Sequence, residues 1–297
     1  MASVASPCPV PSVSYVELLD DDKNIRDHAT ERLLQALNFY GARPFFERPL
    51  NEKVTDHANS GTTSLSRFVP FASEKIRGKA HLDETVEFQH GVYDLAGNWS
   101  VSGRELLDAS RPLHDECNRV QFHLFDCLSS SLKLPRPLSS LHSHRNSFIA
   151  PYYYCFDGDQ DTETLRVDPH LDPTTMLFCF QDSYSGLEVA DMSNQTGKLS
   201  TTAIQRTAPF IPVTCQPGEF VLLVGHVLRR LVGEVKHSVH RVKRPLGTPG
   251  FHLNYWTVPD LETSCDFGDK KEDVAEYLAR VFPTAFGNRR QGMVSLS

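Results

Sequence analysis

No apolar run in this sequence approaches the ~20 residues that a membrane-crossing helix needs, and the longest candidate, Phe220 to Val224, has only the length of a strand. Met1 to Val13 carries neither a basic start nor an apolar block, so no secretory leader is expected. Positive charge is in deficit: 30 Lys and Arg stand against 37 Asp and Glu, a formal charge of -7. The basic residues are scattered, with Arg229-Arg230 and Arg289-Arg290 as the only Arg pairs. A nucleic-acid partner, which needs a basic stripe, is therefore not expected. The seven cysteines (Cys8, Cys117, Cys127, Cys155, Cys179, Cys215 and Cys265) are odd in number and nowhere spaced Cys-x-x-Cys. That argues against a disulfide framework and for a reducing, cytoplasmic setting. Internal repeats and low-complexity segments are absent as well.

At 297 residues the chain can bury a large core, and a single domain spanning 1–297 is expected. Its first part, 1–140, mixes helix and strand. Ile25, Ala29, Leu33, Ala36, Leu37 and Tyr40 recur at helical spacing behind the acidic Asp20-Asp21-Asp22, with Gly41 as a stop. Leu113, Cys117, Val120, Leu124 and Leu128 mark a second helix that ends before Pro135; its His114 and His123 read as solvated or capped. From about residue 141 the texture changes to short β-type runs separated by Gly, Pro and Asp: Ser147–Cys155, Met176–Phe180, Leu187–Ala190, Ile211–Cys215, Phe220–Val224, Val235–Val242 and Phe251–Val258. With no helical pattern between them they point to a mainly β sandwich or barrel rather than βαβ units. A last helix is expected over Lys271–Phe282.

The most informative motif is His170-Leu171-Asp172, followed far along the chain by His240 in Ser238-Val239-His240-Arg241-Val242. Two imidazole nitrogens and one carboxylate oxygen can occupy one face of an octahedral Fe(II), leaving three positions open. Alternate strand residues share a face, so His170 and Asp172 can grip one ion while Leu171 points away. His81-Leu82-Asp83 repeats the pattern, but it follows the charged Lys75-Ile76-Arg77-Gly78-Lys79 and reads as a solvated segment. The second copy runs into the apolar Thr174 to Phe180, a rigid place for a ligand. His237 and His226 compete for the third ligand position; His240 is preferred on its His-Arg-Val context, with His226 read as a turn residue.

Taken in order, His170-Leu171-Asp172, Gly186-Leu187-Glu188-Val189, Pro217 to Gly225 and Ser238 to Val242 make the second half resemble the Fe(II)/2-oxoglutarate-dependent oxygenases, most closely their isopenicillin N synthase-like branch. The first half is similar too, through Pro11 to Leu18 and Leu82-Asp83-Glu84-Thr85-Val86-Glu87-Phe88. The resemblance implies a double-stranded β-helix, or jelly roll, over 141–297. It also implies Fe(II) held by His170, Asp172 and His240, with 2-oxoglutarate and O2 as cosubstrates in the oxidation of a small molecule of specialised metabolism by a monomeric enzyme. The family holds the distal carboxylate of 2-oxoglutarate with an Arg-x-Ser pair, and here those positions are Gly250 and His252. Arg229 or Arg230, on the strand expected before the second His, is then the candidate cation, and Tyr154, His252 and Asn254 are candidate polar contacts of the cosubstrate. The missing Arg keeps two other readings open, an Fe(II)/O2 oxidase without 2-oxoglutarate and a non-catalytic metal-binding relative.

Overall fold

The computed structural model describes residues 22, 24, 42–59, 67–76, 79–89, 99–143, 146–154, 165–181, 186–193, 200–213, 220–233, 235–236, 238–243, 250–266 and 271–281. Among them the elements in chain order are α1 (Ala42–Phe46), α2 (Leu50–Asn59), β1 (Arg67–Val69), β2 (Lys75–Ile76), β3 (Lys79–Ala80), β4 (Glu84–Gln89), α3 (Val101–Ser131) and β5 (Phe148–Tyr154). Then come β6 (Leu165–His170), β7 (Met176–Gln181), β8 (Leu187–Ala190), α4 (Thr201–Thr207), β9 (Phe210–Pro212), β10 (Val221–Val224) and α5 (His226–Val232). The last are β11 (His240–Lys243), β12 (Gly250–Thr257), β13 (Ser264–Asp266), β14 (Lys271–Asp273) and α6 (Val274–Val281).

Two antiparallel sheets carry the architecture. A six-stranded sheet runs β1-β4-β5-β12-β7-β10, and a four-stranded sheet runs β6-β11-β8-β9. Between them lies an apolar cluster that includes Phe148, Val167, Leu177, Leu187, Leu223, Val242 and Trp256. Strand periodicity divides β12 between two environments. Phe251, Leu253 and Tyr255 join the cluster on the helix side, while His252, Asn254 and Trp256 face the space between the sheets. Trp256 stacks on Phe148 there, at 5.9 Å between ring centroids. This is the jelly roll that the resemblance implied.

The helix side is covered by α3. The Ser100 side chain caps it by accepting from the Gly103 N–H at 3.0 Å. Leu106, Leu107, Ser110, Leu113, His114, Cys117, Gln121 and Phe125 form its buried stripe. The helix begins a dozen residues before the stretch in which the sequence pattern was visible, because Pro112 and the polar residues around it obscure the periodicity. His114, expected to be solvated, is fully buried, edge-on to Tyr255.

Other expectations are corrected here. Helices α4 and α5 interrupt the β-rich half, which had read as free of helices; each spans only 7 residues, too short to leave a periodic signature. Arg229 and Arg230 lie on α5 rather than on a strand. The helix expected over Lys271–Phe282 starts only at Val274, because Lys271–Asp273 pairs with Ser264–Asp266. The helix expected over Ile25–Tyr40 and the strand-like Pro11 to Leu18 lie outside the described residues.

Two glycines are required by contact. Gly186 has φ +65°, and a Cβ on it would stand 2.4 Å from the Lys243 carbonyl oxygen. Gly225, between β10 and α5, would place a Cβ 2.0 Å from the carbonyl oxygen of Thr174. The main chain of that segment is laced to the start of β7: Gly225 N donates to Thr175 O at 3.0 Å, and His226 N to Asp172 O at 2.8 Å. Gly225→Ala is expected to cost about 2–4 kcal/mol, since backbone rather than a flexible side chain must move. It should also weaken iron retention, because the displaced segment carries Asp172. Chemical denaturation and iron counting check both; a variant as stable as the parent would show that the segment gives way freely.

Candidate metal centre and its cavity

β6 and β11 are neighbours in the four-stranded sheet, and His240 is the Cα partner of His170 in their register. A shift in that register between His240 and Val242 turns both His170 and Val167 into the space between the sheets. The His170 and His240 rings lie 4.2 Å apart, centroid to centroid. The Nδ1–H of His170 donates to Asp168 O at 2.9 Å, and that of His240 to Ser238 O at 3.0 Å. A carbonyl can only accept, so both tautomers are fixed with Nε2 lone pairs aimed at the same point. Asp172 does not sit on the strand with His170, as the i, i+2 reading supposed; β6 ends at His170 and Asp172 lies in the connection to β7. The main-chain bond from His226 N holds it there.

Asp172 Oδ1 is 3.4 Å from His170 Nε2 and 3.7 Å from His240 Nε2. One ligand atom from each of the three residues falls within 4.8 Å of the others. Asp172 is 1% exposed, yet neither of its oxygens meets a hydrogen-bond donor among the described residues. A buried carboxylate without a donor is costly, and a cation between the three side chains removes that cost. Burial pushes His240 down to about 4, partly opposed by Asp172 and reinforced by His170, so the ring is a neutral ligand at ordinary pH. Donor set and geometry fit Fe(II).

Beside these ligands the two sheets leave a cavity that opens to solvent, with about 780 Å3 of empty space counted out into that opening. His170 and His240 stand in its wall with Leu177, Leu187, Leu223, Trp256, Tyr152, Tyr154, His252 and Asn254. The Tyr154 hydroxyl is 3.4 Å from His252 Nδ1, and Asn254 Oδ1 meets no donor among the described residues. The expected facing of His252, Asn254 and Tyr154 is therefore what β12 and β5 provide. No Lys or Arg is among the described residues that line the cavity. Arg229 and Arg230 are not in its wall; Arg230 Nε donates to His226 Nε2 at 2.8 Å, and His226 Nδ1 hydrogen-bonds the Tyr277 hydroxyl at 2.5 Å. This tie fixes His226 structurally at the first turn of α5. Arg241 also points away, pairing with Glu188 at 2.5 Å. His237 and positions 244–249 lie outside the described residues.

The segment read as a solvated decoy is part of the site. His81 is 9% and Asp83 3% exposed, both line the cavity, and the His81 ring lies 6.4 Å from that of His170. Glu74 and Glu87 complete that wall. The signal for them was the alternation Asp83, Thr85, Glu87, a polar face opposite the apolar Val86 and Phe88, which charge alone had made look like a surface.

No protein-family model matches the chain. It is 27% identical over 212 residues to the proline hydroxylase buaE of Petromyces alliaceus, 67% of this chain and 60% of that protein. It is 30% identical over 138 residues to the 2-oxoglutarate-dependent dioxygenase htyE of Aspergillus rugulosus, 45% of this chain and 38% of that protein. The chain thus spans less than two thirds of the length of these relatives. Among solved structures, a dioxygenase for auxin oxidation in rice superimposes with a TM-score of 0.62 at 16% identity, over 95% of this chain and 99% of that one. A 2OG-Fe(II) oxygenase family protein from Caulobacter crescentus does so with a TM-score of 0.62 at 17% identity, over 87% of this chain and 94% of that one. At such identity the likeness is one of fold.

Proposed function

We propose that the chain is an Fe(II)/2-oxoglutarate-dependent oxygenase, an enzyme that oxidises a small molecule of specialised metabolism by hydroxylation, desaturation or ring closure; the similarities to proteins of that kind support the reading. The observation that carries this is the convergence of two Nε2 atoms and one buried carboxylate without a donor among the described residues, beside the cavity between the sheets. Fe(II) held by His170, Asp172 and His240 would supply O2 reduction, with 2-oxoglutarate as the electron source. The residues of the chain do the rest. Leu177, Leu187, Leu223 and Val242 keep the space beside the ligands apolar, which excludes water from a reactive centre. Tyr154, His252 and Asn254 offer hydrogen bonds to the far carboxylate of the cosubstrate. We take the enzyme to work as a monomer in the cytosol; the described cysteines Cys117, Cys127, Cys179 and Cys265 are free, and no helix among the described residues is long and apolar enough to cross a membrane.

One observation favours a second reading. Gly250 stands where the family's carboxylate-binding Arg is expected, and the described lining offers only neutral donors in its place. Neutral hydrogen bonds hold a desolvated carboxylate less firmly than a bidentate guanidinium. An oxidase that draws all electrons from its organic substrate fits that wall as well.

Adding Fe(II) without oxygen, with and without 2-oxoglutarate, tests the two. The oxygenase reading expects a weak visible charge-transfer band only when both are present, and succinate release on admitting air. Iron binding with O2-dependent consumption of the true substrate but without band or succinate would establish the oxidase reading in its place, and iron binding with no substrate consumed would leave a non-catalytic metal-binding relative. A protein that takes up no iron overturns both.

A further inference from the structure

The wall made by the ends of β3 and β4 carries more carboxylate than the cations beside it can neutralise. Arg67 lies between Glu74 and Glu87, at 2.7 Å from each. Glu84 points to the other face of β4 and is matched by Lys53 at 2.5 Å. Asp83 remains, with Arg166 as the cation acting on it. Arg166 is itself committed elsewhere in part: its Nη1 donates to Leu82 O at 3.3 Å, and its guanidinium lies 5.3 Å over the Tyr154 ring. Around the cavity wall three carboxylates therefore face two guanidiniums.

Asp83 is 3% exposed, lines the cavity, and its Oδ2 meets no hydrogen-bond donor among the described residues. The nearest candidate, His81 Nδ1, stands 4.0 Å away, too far to donate. Burial, followed by the charge of Glu74, pushes this carboxyl up to about 8, the expected response of an acid denied both water and a partner. Native structures leave few such atoms unmet, and Asp83, as a residue of the cavity wall, can take the missing donor from a ligand.

We propose that this wall selects substrates carrying an amine or guanidine cation, which docks on Asp83 while the carbon to be oxidised lies toward His170 and His240. The inference rests on reading the cavity as the substrate site of an Fe(II)-dependent enzyme. A cation within hydrogen-bond reach supplies the missing donor and balances the odd carboxylate. A carboxylate ligand would be repelled by Glu74 and Glu87, and a neutral one would gain no charge-assisted bond from Asp83, which a bound cation returns to its ionised form.

Isothermal titration of the full chain with phenethylamine, 2-phenylethanol and 3-phenylpropanoate, three probes of similar shape and different charge, tests it. The titrations are run with Fe(II) under nitrogen and again without iron. The amine should bind at least about tenfold more tightly than the alcohol, and the carboxylate most weakly. Asp83→Asn should remove most of that preference while leaving alcohol affinity within about twofold, a difference expected of a charge-assisted contact. Should the variant fail to fold, as its melting curve would reveal, the ranking in the parent decides. Equal binding of amine and alcohol, preference for the carboxylate, or no binding of any probe overturns the proposal. An amine preference in a protein that takes up no iron would leave this inference standing and remove only the enzyme reading.

Discussion

Replacing Asp172 by alanine is expected to strip the protein of iron while making its metal-free fold more stable. Both oxygens of that carboxylate are buried without a donor among the described residues, so deleting them relieves a desolvation cost of about 1–3 kcal/mol. The same deletion removes one of three protein ligands. Loss of an outer partner of a ligand already lowers metal affinity by about 10–100-fold, and loss of the ligand itself should exceed that. His170→Ala and His240→Ala should lose iron equally, whereas His81→Ala, outside the triad, should keep it. Iron counting by plasma emission and melting curves of the metal-free proteins separate the cases. If Asp172→Ala melts lower than the parent without metal, the carboxylate is a structural group and the metal reading fails.

Acid should unfold the metal-free protein more steeply than its carboxylates alone account for. His81, His142 and His240 are each pushed by burial from the ordinary 6.5 to about 4. In the unfolded chain they take up a proton near pH 6.5, and in the fold only near pH 4. Between those limits the unfolded state binds more protons, so their contribution is full above about pH 6.5 and falls as pH drops toward 4. Asp83 acts in the opposite sense: raised to about 8, it is protonated in the fold over that window, where the unfolded chain has lost its proton. Three uptakes less one leave two, a slope of up to about 2.7 kcal/mol per pH unit. His142→Gln should reduce it by about one proton. This ring is not among the cavity-lining residues and is bonded to Leu138 O and Thr175 Oγ1 at 2.8 and 2.9 Å. Urea titrations at a series of pH values measure the slope, and a stability flat from pH 7 to 4.5 would contradict the burial of all three.

What the sequence made legible follows the physics of each signal. The triad was readable because metal chemistry restricts both residue type and spacing, and Leu187–Ala190 was read to the residue because a short apolar strand between polar turns has sharp edges. The inward facing of His252 and Asn254 came from the resemblance, since strand alternation separates them from Phe251 and Leu253 but does not say which pair points inward. Helix α5 was not legible: Leu228, Arg229, Arg230 and Leu231 look equally well like a strand in a β-rich context, and the bonds that anchor its start run from Gly225, His226 and Val227 to Asp172, Thr174 and Thr175, far back along the chain. His81 and Asp83 were misread for a related reason. Charge usually marks the surface, but here burial is imposed by β4 joining the six-stranded sheet beside β5, a pairing that sets Glu84 against Tyr153 and Thr85 against Tyr152. Long-range closure leaves no trace in a local window.

The ligands His170 and His240 both belong to the four-stranded sheet, whereas Tyr152, Tyr154, Asp83, Glu87, His252 and Asn254 all belong to the six-stranded sheet or its edge. Two of the three ligands and the acidic wall proposed to choose the substrate thus stand on different sheets, linked through Asp172 in the connection from β6 to β7. On the proposed reading, a descendant can exchange Asp83 and Glu87 one at a time while His170, Asp172, His240 and the cosubstrate contacts Tyr154, His252 and Asn254 stay in place, so that each step remains testable by selection. Such a chain is free to drift among substrates without passing through a dead enzyme.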